Sequence, residues 1–323
     1  MDFIPVFIKM SELFLIIIIG YIAAKAKILG PNVKAALSKI IINISMPCTI
    51  LSSVMNSENL PSTSEILFIL LIAFSTYIVL FALAKGTSFI LRLKGQQKGA
   101  AEFGIMFANV GFIGFPVTYA VFGPESAFYT SIFNMPFNLL CYSLGIAMLS
   151  GYNIKEKMKN VKESEVSTLK IFTRKIGKLI LTPAMIAAIL CVIMGVTGFQ
   201  GPDFLADTFD ILGGITTPGA LLVIGAALAE MPFKEMFPNG KAYLFALIQV
   251  IVTPLLMYFI YLPICQGNDL LLGETVIISA MPVATAGTML CVEYDGDEKF
   301  MAQITFITTL ATVITIPLLA VVL

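Results

Sequence analysis

Long apolar runs alternate with short polar connections along the whole chain, and the runs match the roughly 20 residues a helix needs to cross the hydrocarbon core. This pattern predicts ten spans, at 4–24, 35–55, 66–89, 101–121, 127–149, 179–198, 205–229, 243–263, 274–292 and 300–322. Almost nothing is left over for a soluble domain. The one sizeable polar connection, 151–178, carries Lys155, Lys157, Lys159, Lys162, Lys170, Arg174, Lys175 and Lys178. It reads as a basic linker between a first unit, 1–150, and a second, 179–323. The first span has a second reading, since Leu13 to Tyr21 followed by Ala23, Ala24, Lys25 and Ala26 resembles a signal-peptide core and cleavage region. Cleavage there would leave nine spans.

The basic residues sort by side. Connections 1/2, 3/4, 5/6, 7/8 and 9/10 hold four, four, eight, two and one of the 20 Lys and Arg, the even connections hold none, and Lys9 lies in the first span. The positive-inside rule then places both termini outside and the linker in the cytoplasm, in a multi-pass cell (inner) membrane protein. The 20 acidic residues divide as ten on the cytoplasmic side, nine outside and Glu12 within span 1. The net charge of zero is therefore +9 inside against −9 outside.

Five spans on each side of the linker give an odd number per half, so related halves would cross in opposite directions, as in the inverted repeats of many secondary transporters. Prolines support the relation: Pro5, Pro47, Pro116 and Pro136 precede Pro183, Pro218, Pro282 and Pro317 by 178, 171, 166 and 181 residues. Pro254 has no counterpart in span 3, and membrane helices tolerate proline in any case.

Span 4 contains Asn109-Val110-Gly111-Phe112-Ile113-Gly114-Phe115-Pro116, and span 9 contains Ala280-Met281-Pro282-Val283-Ala284-Thr285-Ala286-Gly287-Thr288. Glycine and proline weaken both helices at mid-membrane depth. Backbone groups freed there cannot face lipid and must be buried in protein or line a wet cavity. Half-helices starting at Pro116 and Pro282 would point two positive dipole ends at one place, an anion site without a basic side chain. The bland alternative is a pair of proline kinks. Polar stripes flank these spans: Asn43 and Pro47; Thr130, Asn134, Asn138 and Tyr142; Gln249 and Thr253; Thr308, Thr312 and Thr315. Such groups glue helices together as often as they line a pathway. Lys9 and Glu12, at i and i+3, could pair within span 1 and supply a coupling group.

Composition narrows the chemistry. Hydrophobic residues make up 58% of the chain and charged residues 12%, which excludes a water-soluble globule. No basic face marks a nucleic-acid partner. There is no His to serve as a proton shuttle, metal ligand or catalytic base, and no Trp. The five Cys, four of them inside apolar stretches, do not suggest a disulfide framework.

The chain resembles the auxin efflux carrier family, which includes plant PIN proteins and prokaryotic malate or malonate permease-like members. The motifs are Asn43-Ile44-Ser45-Met46-Pro47; Asn109 to Pro116 with Phe122-Gly123; Thr217-Pro218-Gly219-Ala220-Leu221 with Gly225 and Leu228; and Met281-Pro282 with Tyr294-Asp295-Gly296-Asp297, Thr308, Thr309 and Pro317. The resemblance implies an all-α polytopic membrane protein of ten helices in a 5+5 inverted repeat, with helices 4 and 9 broken and crossing. It implies alternating-access transport of small organic anions such as carboxylates. On the family pattern, the substrate would sit at the crossover, with Asn109, Gly111, Gly114, Pro116, Pro282 and Thr285, helped by Asn43, Pro47 and Pro218; Asn134 and Asn138 are further candidates. Members often have an asparagine shortly after the span 9 proline, where this chain has Thr285, Ala286 and Gly287. The short linker resembles the prokaryotic branch.

No cofactor or metal is expected, and no phosphate-binding G-x-x-x-x-G-K-[ST] loop exists to couple transport to ATP. Uniport, sodium held by unwound carbonyls, and proton coupling through Glu12 all remain open. Expected partners are the bilayer and the anion, and a homodimer is compatible with such a chain. A channel or a transporter-like sensor of the same fold is the competing function. An intramembrane enzyme is disfavoured by the missing His and by Asp295 and Asp297 sharing one turn.

Overall fold

A computed structural model describes residues 3–57, 62–150, 182–230, 240–294 and 296–322. The expected linker, 151–178, lies outside them. The described residues are helical apart from connections and one isolated bridge. In chain order the helices are α1 (Phe3–Lys25), α2 (Pro31–Met55), α3 (Thr63–Ile90), α4 (Gly95–Met106), α5 (Val110–Phe122) and α6 (Ser126–Leu149). They continue with α7 (Pro183–Thr197), α8 (Asp203–Glu230), α9 (Gly240–Tyr261), α10 (Asp269–Ser279), α11 (Ala286–Glu293) and α12 (Glu298–Val322). Among the described residues, six of these, α2, α3, α6, α8, α9 and α12, are long and apolar enough to cross a membrane.

Local sequence sets the ends. Ser62 caps α3 in a reciprocal box with Glu65, Thr182 accepts from Met185 N–H at 3.2 Å to start α7, and Gly198 ends α7 in the left-handed conformation. Three prolines each follow a π turn by two residues: Ile41–Ser45 before Pro47, Val110–Gly114 before Pro116, and Ile248–Val252 before Pro254. A proline ring clashes with the carbonyl four residues back, and the wider turn moves that carbonyl aside while the helix continues.

The faces of α3 show what solvates the protein. Leu67, Leu71, Phe74 and Ile78 form an exposed apolar stripe, while Ile66, Ile69, Ala73, Thr76, Tyr77 and Leu80 are buried. A helix apolar on its outer face is stable against lipid, not water. Helix contacts inside the bundle rely on small residues. Gly225 of α8 meets the backbone of Ile17 and Tyr21 on α1, and Gly20 meets Leu222, so the two helices touch backbone to backbone.

Candidate functional site

Two helices stop at mid-course and their loose ends pair. Helix α4 ends at Met106, and Phe107 to Asn109 run extended into α5; α10 ends at Ser279, and Ala280 to Thr285 run non-helically into α11. Ala108 and Val283 form an antiparallel bridge, with Asn109 N–H donating to Pro282 O at 2.8 Å and Ala284 N–H to Phe107 O at 2.9 Å. Side chains satisfy other freed groups. Thr308 of α12 accepts from Val283 N–H at 3.2 Å, and Gln249 of α9 donates to Met281 O at 3.1 Å. The unwound backbone is therefore buried in protein, as a membrane interior requires.

The half-helices begin at positions other than those read from the sequence. Helix α5 starts at Val110, upstream of Pro116, because Asn109 caps it: the Asn109 side-chain carbonyl accepts from Phe112 N–H at 3.2 Å. Helix α11 starts at Ala286, downstream of Pro282, which lies within the non-helical stretch. The cap orients the Asn109 carboxamide and leaves its Nδ2 without a partner, although the residue is only 4% exposed. A buried donor left unsatisfied at the start of a helix, where N–H groups already gather, suits an anionic oxygen.

The candidate residues are distributed unevenly around this pair. Asn109, Gly111, Gly114, Pro116, Pro282 and Thr285 all lie on the two bridged segments; Gly114, Pro116 and Pro282 are buried, Gly111 and Thr285 half-buried. A Cβ on Gly111 would lie 3.6 Å from the Met46 methyl, which brings the Asn43 to Pro47 motif of α2 to the start of α5. Asn43 itself is exposed and donates back to Lys39 O at 2.8 Å; Pro47 is half-buried and Pro218 exposed. Ser45, Thr49 and Thr216 instead join α2 to α8, with Thr216 Oγ1 2.6 Å from Ser45 Oγ and 2.8 Å from Thr49 Oγ1. Asn134 and Asn138 are buried on α6, the second donating to the carbonyl of the first at 2.9 Å. Phe137 between them stacks edge-on against Phe107 at the break, with ring centroids 5.9 Å apart. Glu12 is exposed, and the Lys9 side chain lies outside the described residues.

Two kinds of residue at or near the breaks carry weak signals in the sequence. Gln249 and Thr308 were legible only as polar stripes, yet they hold the second break. Glu274, at the first residue of the apolar run 274–292, is fully buried five residues into α10. The signal that could have found it is Asn268, whose side chain accepts from Leu271 N–H at 2.9 Å and starts the helix before Asp269. All five cysteines are free and buried, and the described residues contain no cluster suited to a metal ion.

A bundle with lipid-suited outer faces and paired interruptions at its centre defines a polytopic membrane protein of the transporter class. The chain belongs to the family described as membrane transport protein, which it matches over residues 5–320. It is 25% identical over 320 residues to an uncharacterized transporter of Methanothermobacter thermautotrophicus, covering 97% of this chain and 96% of the relative. It is 26% identical over 318 residues to an uncharacterized transporter of Methanocaldococcus jannaschii, covering 94% of each.

Proposed function

We propose that the protein is a secondary carrier that moves a small organic anion, such as a carboxylate, by alternating access, and binds it where the interrupted helices meet. The observation that carries this reading is the buried Asn109 Nδ2 with no partner, at a helix start paired with a second interruption. In this reading the first half comprises α1 to α6 and the second α7 to α12, five spans each and inverted, with spans 4 and 9 formed by α4–α5 and α10–α11. Helix pairing supports the repeat. Helix α1 packs on α8 as α7 packs on α2; α3 packs on α4 and α6 as α9 packs on α10 and α12; and α12 lies on α4 as α6 lies on α10. Both termini would be outside and the linker cytoplasmic, and neither a cofactor nor ATP is required.

The test is counterflow of labelled malate, malonate and indole-type acids in liposomes containing the purified protein. Saturable counterflow of one of these acids is expected. Failure of all three, ligand binding without exchange, or single-channel conductance would each replace the carrier with another function.

A further inference from the structure

A carboxyl group lies within the bundle apart from the unwound pair. Glu274 is 0% exposed, and its Oε2 accepts from Thr130 Oγ1 of α6 at 3.1 Å. Its Oε1 has no partner, and no lysine or arginine pairs with it among the described residues. Helix α10 packs against α3, α5, α6, α9 and α12. From α6, the Tyr129 hydroxyl is within electrostatic reach, and the helix also carries Cys141 and Tyr142, with Glu125 before it. Helix α3 brings Glu65 in its cap, Tyr77, and Lys85 already bound to Glu102; α5 brings Tyr119. Helix α9 brings Tyr258 and Tyr261, the latter bonded to Ser75, and α12 has Glu298 and Lys299 in its first turn. None of these makes an ion pair with Glu274.

An ionised carboxylate buried without a cation or a second donor is costly, and holding a proton removes that cost. The hydroxyls beside it connect the proton to the break. Thr130 Oγ1 lies 2.8 Å from Thr118 Oγ1, and Thr118 Oγ1 lies 3.0 Å from Gly114 O, the last residue of the π turn that Asn109 caps. With the carboxyl protonated, its O–H donates to Thr130, Thr130 to Thr118 and Thr118 to Gly114 O, and every donor is used. With the proton gone, Thr130 donates to the carboxylate and its oxygen is free to accept from Thr118, so a Thr118–Thr130 bond competes with the bond from Thr118 to Gly114 O.

We infer that Glu274 is the proton-binding site of this carrier, coupled to the anion site through Thr130 and Thr118. This rests on the carrier reading above. The carboxylate takes a proton from water on one side of the membrane and returns it to water on the other, with nothing oxidised or reduced. One carboxyl and two hydroxyls offer too few oxygens to strip and hold a hard metal ion.

The experiment uses liposomes containing the full chain, entrapped pyranine and labelled malate, malonate or indole-3-acetate. In the wild type, a pH gradient should drive accumulation and acidify the lumen. Glu274→Gln keeps the shape and mimics the permanently protonated group, so counterflow at equal pH should persist while both gradient effects are lost. Thr130→Val should weaken coupling and Thr130→Ser restore it. Undiminished gradient-driven uptake by Glu274→Gln, or wild-type accumulation that follows sodium instead of pH, overturns the proposal. Infrared spectra without substrate test the site independently of transport. A protonated-carboxyl stretch should be present in the wild type, absent in Glu274→Gln and shifted in Thr130→Val; identical spectra would refute a proton on Glu274. If no acid shows counterflow, the carrier reading fails on its own, and the infrared result still decides whether Glu274 holds a proton.

Discussion

Replacing Gln249 with leucine keeps the side chain buried and of similar size but removes the donor that reaches the break between α10 and α11. The bond to Met281 O is 3.1 Å and well formed; the approach to Ser279 O, at 3.5 Å, is marginal and adds little. A buried carbonyl left unpaired costs about 1–3 kcal/mol. The lower part of that range applies, because Gln249 Oε1 has no partner and its own desolvation cost disappears with the substitution. A net loss of about 1–2 kcal/mol is expected, and 1.4 kcal/mol is a factor of about ten in an equilibrium. If opening of the break is the local event affected, amide hydrogens across 280–285 should exchange about tenfold faster in Gln249→Leu by mass spectrometry. Amides of α3 and α7 should be unchanged. Equal exchange at 280–285 in both proteins would refute the view that Gln249 holds the interruption in place.

Gly225→Ala places a Cβ 2.0 Å from Ile17 O, where ordinary contact begins at 3.4 Å, so α1 and α8 must separate or the backbone must shift. A loss of about 1–3 kcal/mol and a lower melting temperature are expected, and an unchanged melt would contradict the close crossing. Lys85→Met leaves the buried Glu102 with only Ser88 at 3.0 Å and the longer Lys98 pair at 3.8 Å, whereas Lys34→Met frees an exposed Glu230. The first should lower thermal stability more than the second, even after screening of the partly exposed lysine is allowed for; the reverse order would refute the ranking. Burial in the connection after α9 pushes the Cys265 thiol up to about 11 from its ordinary value near 9. The folded state thus favours the neutral thiol. Its contribution is fully present below about pH 9 and is lost as pH rises through about 11. Cys265→Ser should flatten that decline in stability, and an identical alkaline profile would argue against it.

Much of this architecture was legible because hydropathy is a coarse and strong signal. The apolar runs at 66–89, 127–149 and 243–263 fall on α3, α6 and α9 within a few residues. The interruptions were legible because glycine and proline weaken helices wherever they occur. Their positions were not. A proline two residues after a π turn stays helical, as Pro116 does, while Pro282 lies in the extended stretch, and only the capping bond of Asn109 sets where α5 begins. The burial of Glu274 was hidden for a related reason: hydropathy begins span 9 at residue 274, whereas the Asn268 cap begins the helix five residues earlier and sets the carboxyl within it. Side-chain direction was the remaining gap. Asn43 and Asn109 read alike as intramembrane amides, but the first turns back onto Lys39 O while the second leaves a donor buried at the break.

These assignments converge on Asn109. Its side-chain carbonyl holds the start of α5, so the cap and the free donor must be separated experimentally. Asn109→Asp keeps an acceptor for Phe112 N–H but replaces the donor with negative charge; Asn109→Ala removes both. The most direct measurement is carboxylate counterflow in liposomes by wild type and by Asn109→Asp, with the melting temperature recorded for each. Asn109→Asp should fold with a melt close to wild type and lose counterflow. Counterflow at the wild-type rate in a well-folded Asn109→Asp protein would contradict the assignment.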